Sequence, residues 1–348
     1  DEFRKRVEGA LIGRCAGCTL GAPVESWSIQ RMKKMAKDIG QAFPPVDYWK
    51  SVVEPLRIRY GKSRLYEYTS GEMNGVPVDD DIAYTLLGLI VAEEWGSDFT
   101  IAQNAKSWVQ YLPMAYTAER VALENLKKGV PAAKAGENEN PYCEWIGADI
   151  RSDPWGYMAP GWPEKAAEMA YRDAYLSHRR NGIYGEMYFS AVVSAAFTIN
   201  DPMEALYIGL EEIPAQCATA KAVRWALNKA PEIRNYQQAR EAVDRKYTGM
   251  SPVHTINNAC LTLFGISLGR TDFTRVISQS VAMGLDNDCT AATAGSIVGA
   301  TVGKQGIPGH WYRKFNNKIK SYLNGRPYFT ISGLVKRFEK QATKVFGE

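Results

Sequence analysis

The chain reads as an all-α protein, a compact single-domain multi-helix bundle with a cleft formed at helix N-termini. Three observations point there. Between residues 184 and 283 apolar residues recur at helical spacing in one segment after another, and short loops bearing Asn, Pro or Gly separate the segments. No run of alternating strands stands out, and neither a GxGxxG nor a GxxxxGK[ST] phosphate loop is present. Acidic residues gather at two distant places where a turn opens into an apolar helix.

The later of these places is Gly284-Leu285-Asp286-Asn287-Asp288-Cys289-Thr290, running on to Ala300. Gly284 permits backbone angles that other residues avoid, and Asp288 is suited to cap the helix. Ala292, Gly295, Ser296 and Gly299 follow at spacings of three and four, so one helix face is small enough for a neighbouring backbone to approach closely. Asp286 and Asp288 converge only if Asp286 still lies in the turn. The earlier place is Pro77-Val78-Asp79-Asp80-Asp81, which leads into the apolar run Ile82–Trp95. A single Asp at a helix start is ordinarily a cap. Three in a row, with a second Asp-x-Asp start elsewhere, exceed what capping needs. Five carboxylates at two helix mouths repel one another unless a cation sits between them, and oxygen ligands suit a hard ion such as Mg²⁺, or Mn²⁺. The cleft is therefore expected to be a metal cleft.

In chain order, residues 3–22 form a helix with Gly9, Gly13 and Gly17 on one face. Each glycine disfavours the helix by about 1 kcal/mol relative to Ala, so close helix contact must compensate. Ala22-Pro23-Val24 ends this helix and presents Glu25. Residues 38–78 carry aromatics and turn residues without a sustained period, an irregular excursion that could wall a cleft. Segments 99–111 and 116–129 are helical. Residues 138–157 are dense in Gly, Pro, Asn and Trp and form a structured loop, in which Trp145 and Trp155 either plug the core or offer a face for stacking. Residues 163–177 are a helix closed by Ser177-His178-Arg179-Arg180-Asn181-Gly182. His254 and His310 read as structural. Helices continue at about 184–199, 201–211, 216–229, 232–246, 252–267 and 272–283, then at 311–323 and 331–345.

At 348 residues the chain can bury a large core, and no linker or composition shift divides it, so one domain spans residues 1–348. The net charge of +4 is mild and its basic residues are scattered, which argues against a specific nucleic-acid surface. No apolar run reaches the ~18 residues a membrane span needs. Cys15 and Cys18 form a lone C-x-x-C without a second pair, so they read as buried thiols rather than zinc ligands. Unpaired cysteines suit a reducing compartment, and the cytoplasm is the expected location. The opening Asp1-Glu2-Phe3, without Met, leaves a removed signal peptide as the alternative.

The two acidic stretches resemble the paired metal motifs of the ADP-ribosylglycohydrolase family, roughly Thr-Asp-Asp-Thr near the start and Gly-Gly-Asp-x-Asp-Thr near the end. That family also carries an early Gly-Asp-x-x-Gly-x-Pro-x-Glu, for which this chain offers Gly17-Cys18-Thr19-Leu20-Gly21-Ala22-Pro23-Val24-Glu25. The three motifs occur in the family's order and span nearly the whole chain. The resemblance implies an all-α hydrolase that cleaves the glycosidic bond at ribose C1 and releases ADP-ribose from a protein side chain or a small-molecule acceptor. It implies two Mg²⁺ ions, held by Asp80 and Asp81 from the first helix and Asp286 and Asp288 from the second. Asp79 and Cys289 stand at flanking ligand positions where the family has Thr, and sulfur is a poor ligand for a hard cation. Ile82 also replaces a Thr, and Cys18 an Asp. Glu25 would act as acid or base beside the metals, together with Asp286, or would brace the site from behind. Gly147, Ala148, Asp149, Ile150 and Arg151 match the family's Gly-Ala-x-Ile/Met-Arg signature. By resemblance they and the following turn, with Trp155, would contact ADP-ribose, and Asp149 is a second acid/base candidate. Ser177-His178 matches a Thr/Ser-His position that could reach ribose or phosphate. The departures from the pattern leave two alternatives: an N-glycosidase for a nucleotide or nucleoside, and a non-catalytic ADP-ribose-binding protein. The oligomeric state is not readable from the sequence.

Overall fold

In the computed structural model, which describes residues 2–347, helices dominate. Helices α1 (Glu2–Gly21) and α2 (Ile29–Asp38) come first, followed by an irregular stretch with the short antiparallel pair β1 (Ile58–Arg59) and β2 (Ser63–Arg64). Next come α3 (Asp80–Trp95), α4 (Ile101–Tyr111), α5 (Thr117–Lys127), α6 (Ala132–Ala135), α7 (Asp153–Met158) and α8 (Pro163–Ala174). The second half holds α9 (Asn181–Ala196), α10 (Pro202–Ile208), α11 (Ala218–Lys229), α12 (Tyr236–Lys246), α13 (Thr255–Gly269), α14 (Phe273–Ala282) and α15 (Asn287–Val302). A small hairpin of β3 (Ile319–Lys320) and β4 (Tyr328–Phe329) precedes α16 (Ile331–Gly347). Among the described residues no helix is long and apolar enough to cross a membrane.

The centre of the fold is the pair α1 and α15. Gly9, Gly13 and Gly17 face Gly299, Gly295 and Ala291, so the two small-residue stripes meet each other. A Cβ on Gly13 would collide with the carbonyl oxygen of Gly295, and one on Gly9 with that of Gly299. Close backbone approach explains why the sequence accepts glycine at every turn of α1. Helices α3, α9, α13 and α15 are buried on nearly every side, as their all-round apolar sequences require. Outer helices are amphipathic instead. α2 buries Met32, Met35 and Ala36, and α16 buries Leu334, Val335 and Phe338. Side chains close the helix starts where the sequence provides them: Ser28 for α2, Thr100 with Gln103 for α4, and Asp272 for α14.

Three local expectations change. Residues 311–323 are not a helix. They form two single-turn 3₁₀ segments and then β3, because Asn316 and Asn317 both take left-handed backbone angles, with φ of 48° and 53°. Trp311 and Phe315 are four apart and both buried, which imitates a helical stripe. The second change is at α15. The helix starts one residue before Asp288, and Asp286 takes the capping position without a side-chain capping bond. Third, the loop at 138–157 carries a 3₁₀ turn over Ile146–Arg151 and then α7.

Candidate active site

The N-termini of α3 and α15 meet at a cleft of about 350 Å³. Glu25, the hairpin segment Arg57–Tyr60, the start of α5 and the turn Trp145–Ile150 form the rest of its wall. The two helix mouths are joined directly. The Cys289 thiol donates to Asp81 Oδ2 at 3.2 Å. A backbone bond from Ser26 N to Leu285 O, 3.0 Å, ties the turn after Glu25 to the turn before Asp286. Gly284 and Leu285 both have left-handed φ, 72° and 60°, which turns the chain sharply enough to keep Asp286 out of the helix.

Each carboxylate has a definite place. Asp79 sits at the capping position of α3, its Oδ1 accepting from Asp81 N. Asp80 faces the cleft and accepts from the Tyr60 hydroxyl at 2.7 Å. Asp81 lies behind it, fully buried, paired with Arg14 at 3.3 Å. Arg14 also holds Asp153 at 2.6 Å and Thr85 at 2.7 Å. Asp286, Asp288 and Cys289 line the cleft. Arg59 reaches in from β1. Its Nη1 donates to Glu25 Oε2 at 2.8 Å and to the Ala22 carbonyl, and its Nη2 donates to Asp79 Oδ2 at 2.9 Å and Asp288 Oδ2 at 3.2 Å. Asp288 Oδ1 is buried without a hydrogen-bond partner.

The electrostatics follow from this crowding. Burial, and then the charge of Glu25, push Asp286 up to about 6 and Asp288 well above the usual carboxylate range. Burial, and then Asp79, raise Asp80. Burial raises Asp81 too, with Arg14 opposing. Burial works against the charge on Arg59, but Asp79, Glu25 and Asp288 outweigh it and keep the guanidinium protonated. Burial, and then Asp286, push the Cys289 thiol up, so it stays a donor. Two sets of side chains each bring their ligand atoms within 4.8 Å of one another: Cys18, Asp79 and Asp81 form one set, and Asp286, Asp288 and Cys289 the other.

The other residues singled out in the sequence divide. Gly147 and Ile150 line the cleft, whereas Ala148, Asp149, Arg151, Trp155, Ser177 and His178 are buried away from its lining. Arg151 pairs with Glu119 at 2.8 Å, Asp173 at 2.6 Å and Glu186 at 3.3 Å, and of these Glu119 reaches the cleft. Asp149 accepts from the Thr255 hydroxyl at 2.6 Å. Trp155 stacks on Phe99 with ring centres 5.0 Å apart and donates to Glu186. Burial, and then Arg151, lower the proton affinity of His178, whose Nδ1 bonds Ser177 Oγ at 2.8 Å. Trp145, not Trp155, reaches the cleft, with Tyr60, Tyr84 and Tyr116. Sequence reasoning missed Arg59 and these tyrosines. For Arg59 and Tyr60 the aromatic density of residues 38–78 was the available signal, and it carried no period to say which side chains turn inward; Tyr84 on α3 and Tyr116 at the start of α5 carry no mark of the cleft in the sequence.

A helical bundle whose cleft gathers acids from two helix mouths holds the carboxylates that glycoside hydrolysis requires, and the family match places the chain among hydrolases of the glycosidase class. The chain belongs to the ADP-ribosylglycohydrolase family, whose model matches residues 1–343. Members of that family are metal-dependent, and the two acid–thiol groups are the candidates for holding an ion here. A solved structure described as an ADP-ribosylglycohydrolase-related protein complex is similar in fold, with a TM-score of 0.64 at 19% identity over 98% of this chain and 96% of that one. None of the curated protein sequences compared with the chain matches it.

Proposed function

We propose that this cleft hydrolyses the glycosidic bond at C1 of the ribose in an ADP-ribosylated protein side chain or small molecule, releasing ADP-ribose. The observation that carries the reading is the convergence of Asp80, Asp286, Asp288 and Glu25 on one cleft beside an aromatic wall. Asp286 and Asp288 fit a divalent ion, Mg²⁺ or Mn²⁺, because Asp288 Oδ1 is buried and lacks any other partner, while the Cys289 thiol beside them is turned to Asp81. Such an ion supplies a hold on ribose hydroxyls and a lowered pKa for bound water. The chain's own groups do the rest. Asp286, which lines the cleft beside the ion, is suited to take the proton of the attacking water. As the C1–acceptor bond breaks, positive charge develops on the ribose ring, and the Glu25 carboxylate of the cleft wall is the group suited to stabilise it. Tyr116, 49% exposed at the rim, and Trp145 offer faces for the adenine.

The thiols of Cys18 and Cys289 at the motif positions favour a second reading, cleavage of a nucleotide or nucleoside N-glycosidic bond. Both are tested by product analysis on one panel: ADP-ribosyl-arginine and ADP-ribosyl-serine peptides, O-acetyl-ADP-ribose, NAD and nucleotides, each with Mg²⁺ and with chelator. Mg²⁺-dependent release of ADP-ribose supports the first reading. Release of free base from nucleotides alone replaces it with the second, and chelator-resistant turnover removes the metal from either.

A further inference from the structure

We infer that the guanidinium of Arg59 is a built-in cation of the cleft, standing in for one of two metal ions, so that the chain binds a single divalent ion beside Asp286 and Asp288. This rests on the reading of the cleft as a metal site.

The geometry is that of a cation at the centre of its ligands. Arg59 bridges the two helix mouths, with Asp79 from α3 at 2.9 Å and Asp288 from α15 at 3.2 Å, and it takes Glu25 at 2.8 Å and the Ala22 carbonyl besides. These are oxygens that an ion between the mouths would otherwise collect. The side chain is fixed rather than loosely draped. It is only 12% exposed, and the Tyr60 and Tyr68 rings lie 5.2 Å and 5.9 Å from its carbon. The planar fork gives several acceptors a donor each, which an ammonium does less well.

The two candidate metal groups are left unequal by this. In the group of Cys18, Asp79 and Asp81, the carboxylates are already engaged. Asp79 accepts from Asp81 N and Arg59, and Asp81 accepts from Arg14 and Cys289. The remaining member is a thiol, a soft donor for a hard ion, as Cys289 is in the other group, so the carboxylates decide between them. In the other group Asp288 gives one oxygen to Arg59 and keeps Oδ1 buried and unpartnered beside Asp286. One group is thus satisfied by arginine, and the other still presents an open carboxylate oxygen.

The test is Mn²⁺ binding to the full chain, followed by electron paramagnetic resonance of the free ion, for wild type, Arg59→Met and Arg59→Lys. The expected result is about one ion per chain in wild type and in Arg59→Lys, and about two in Arg59→Met, whose thermal midpoint should also rise more steeply with Mn²⁺. Two ions in wild type would overturn the inference and leave the metal reading intact. An unchanged single ion in a folded Arg59→Met would overturn it as well. Binding to none of the three would overturn both. Because wild-type stoichiometry decides by itself, a misfolded Arg59→Met would not shelter the inference.

Discussion

Asp286 is where the chemistry and the electrostatics of the cleft meet. Asp286→Asn removes a charge without changing shape, and the turn that carries it is held through its main chain, including a bond from Asp286 N to Asn258 Oδ1, rather than by its carboxylate. The account predicts a loss of turnover on the order of 10²-fold or more with the fold retained, checked by steady-state kinetics and circular dichroism. Normal turnover would remove Asp286 from the mechanism. The same residue predicts a pH dependence. Without metal the folded chain holds the Asp286 proton up to about pH 6, against about 3.9 for a free Asp. Between those values the folded state binds more protons than the unfolded one, so stability falls as pH rises through that window. The raised Asp80, Asp81 and Asp288 act in the same direction. The thermal midpoint in chelator should therefore drop from pH 4 towards neutrality, and Mn²⁺ should restore more of it at pH 7 than at pH 5. A midpoint that climbs across the window would contradict this. The clustered aspartates were legible in the sequence because they sit close together in the chain at the starts of two apolar helices. Arg59 was not, because a residue in an irregular stretch has no period to show its direction. The buried role of Arg151 was hidden for another reason. Its partners Glu119, Asp173 and Glu186 are distant in sequence, and only the fold brings them together.

At the scale of elements, the site depends on how closely α1 and α15 approach, since α1 delivers Glu25 and α15 delivers Asp288 to the same cleft. Gly13→Val places branched carbons against the Gly295 carbonyl. Overpacking of this kind costs about 1–3 kcal/mol or more, and chemical denaturation should register it. A variant as stable as wild type would mean the interface has slack that the packing does not show. The glycine stripes on both helices were readable from spacing alone. Their pairing with one another was not, because nothing in either stripe names its partner. Residues 311–323 misled for a physical reason. A Trp and a Phe four apart satisfy the helical template, while the two asparagines after them, which enter left-handed angles more readily than most residues, were the stop signal.

Across the whole molecule, the first helix packs against the last. Arg4 pairs with Glu339 at 2.5 Å, and the Phe338 ring of α16 meets Tyr157 of α7 with centres 5.1 Å apart. Contact between first and last helices argues for one folding unit, so calorimetry should give a single unfolding transition. Two resolved transitions would divide the chain. The helix succession made the fold class legible, whereas the layering that sets α1 and α15 at the centre needed three-dimensional contacts. The claim on which the account turns is that ribose binds at the acidic end of this cleft. A crystal of the wild-type chain soaked with ADP-ribose and Mn²⁺, with anomalous data collected for the ion, tests it most directly. The account predicts the terminal ribose against Asp80 and Asp288, the adenine by Tyr116 and Trp145, and an anomalous peak touching Asp286 and Asp288 while Arg59 keeps its place. ADP-ribose bound elsewhere, or bound here with no ion near Asp286, would contradict it.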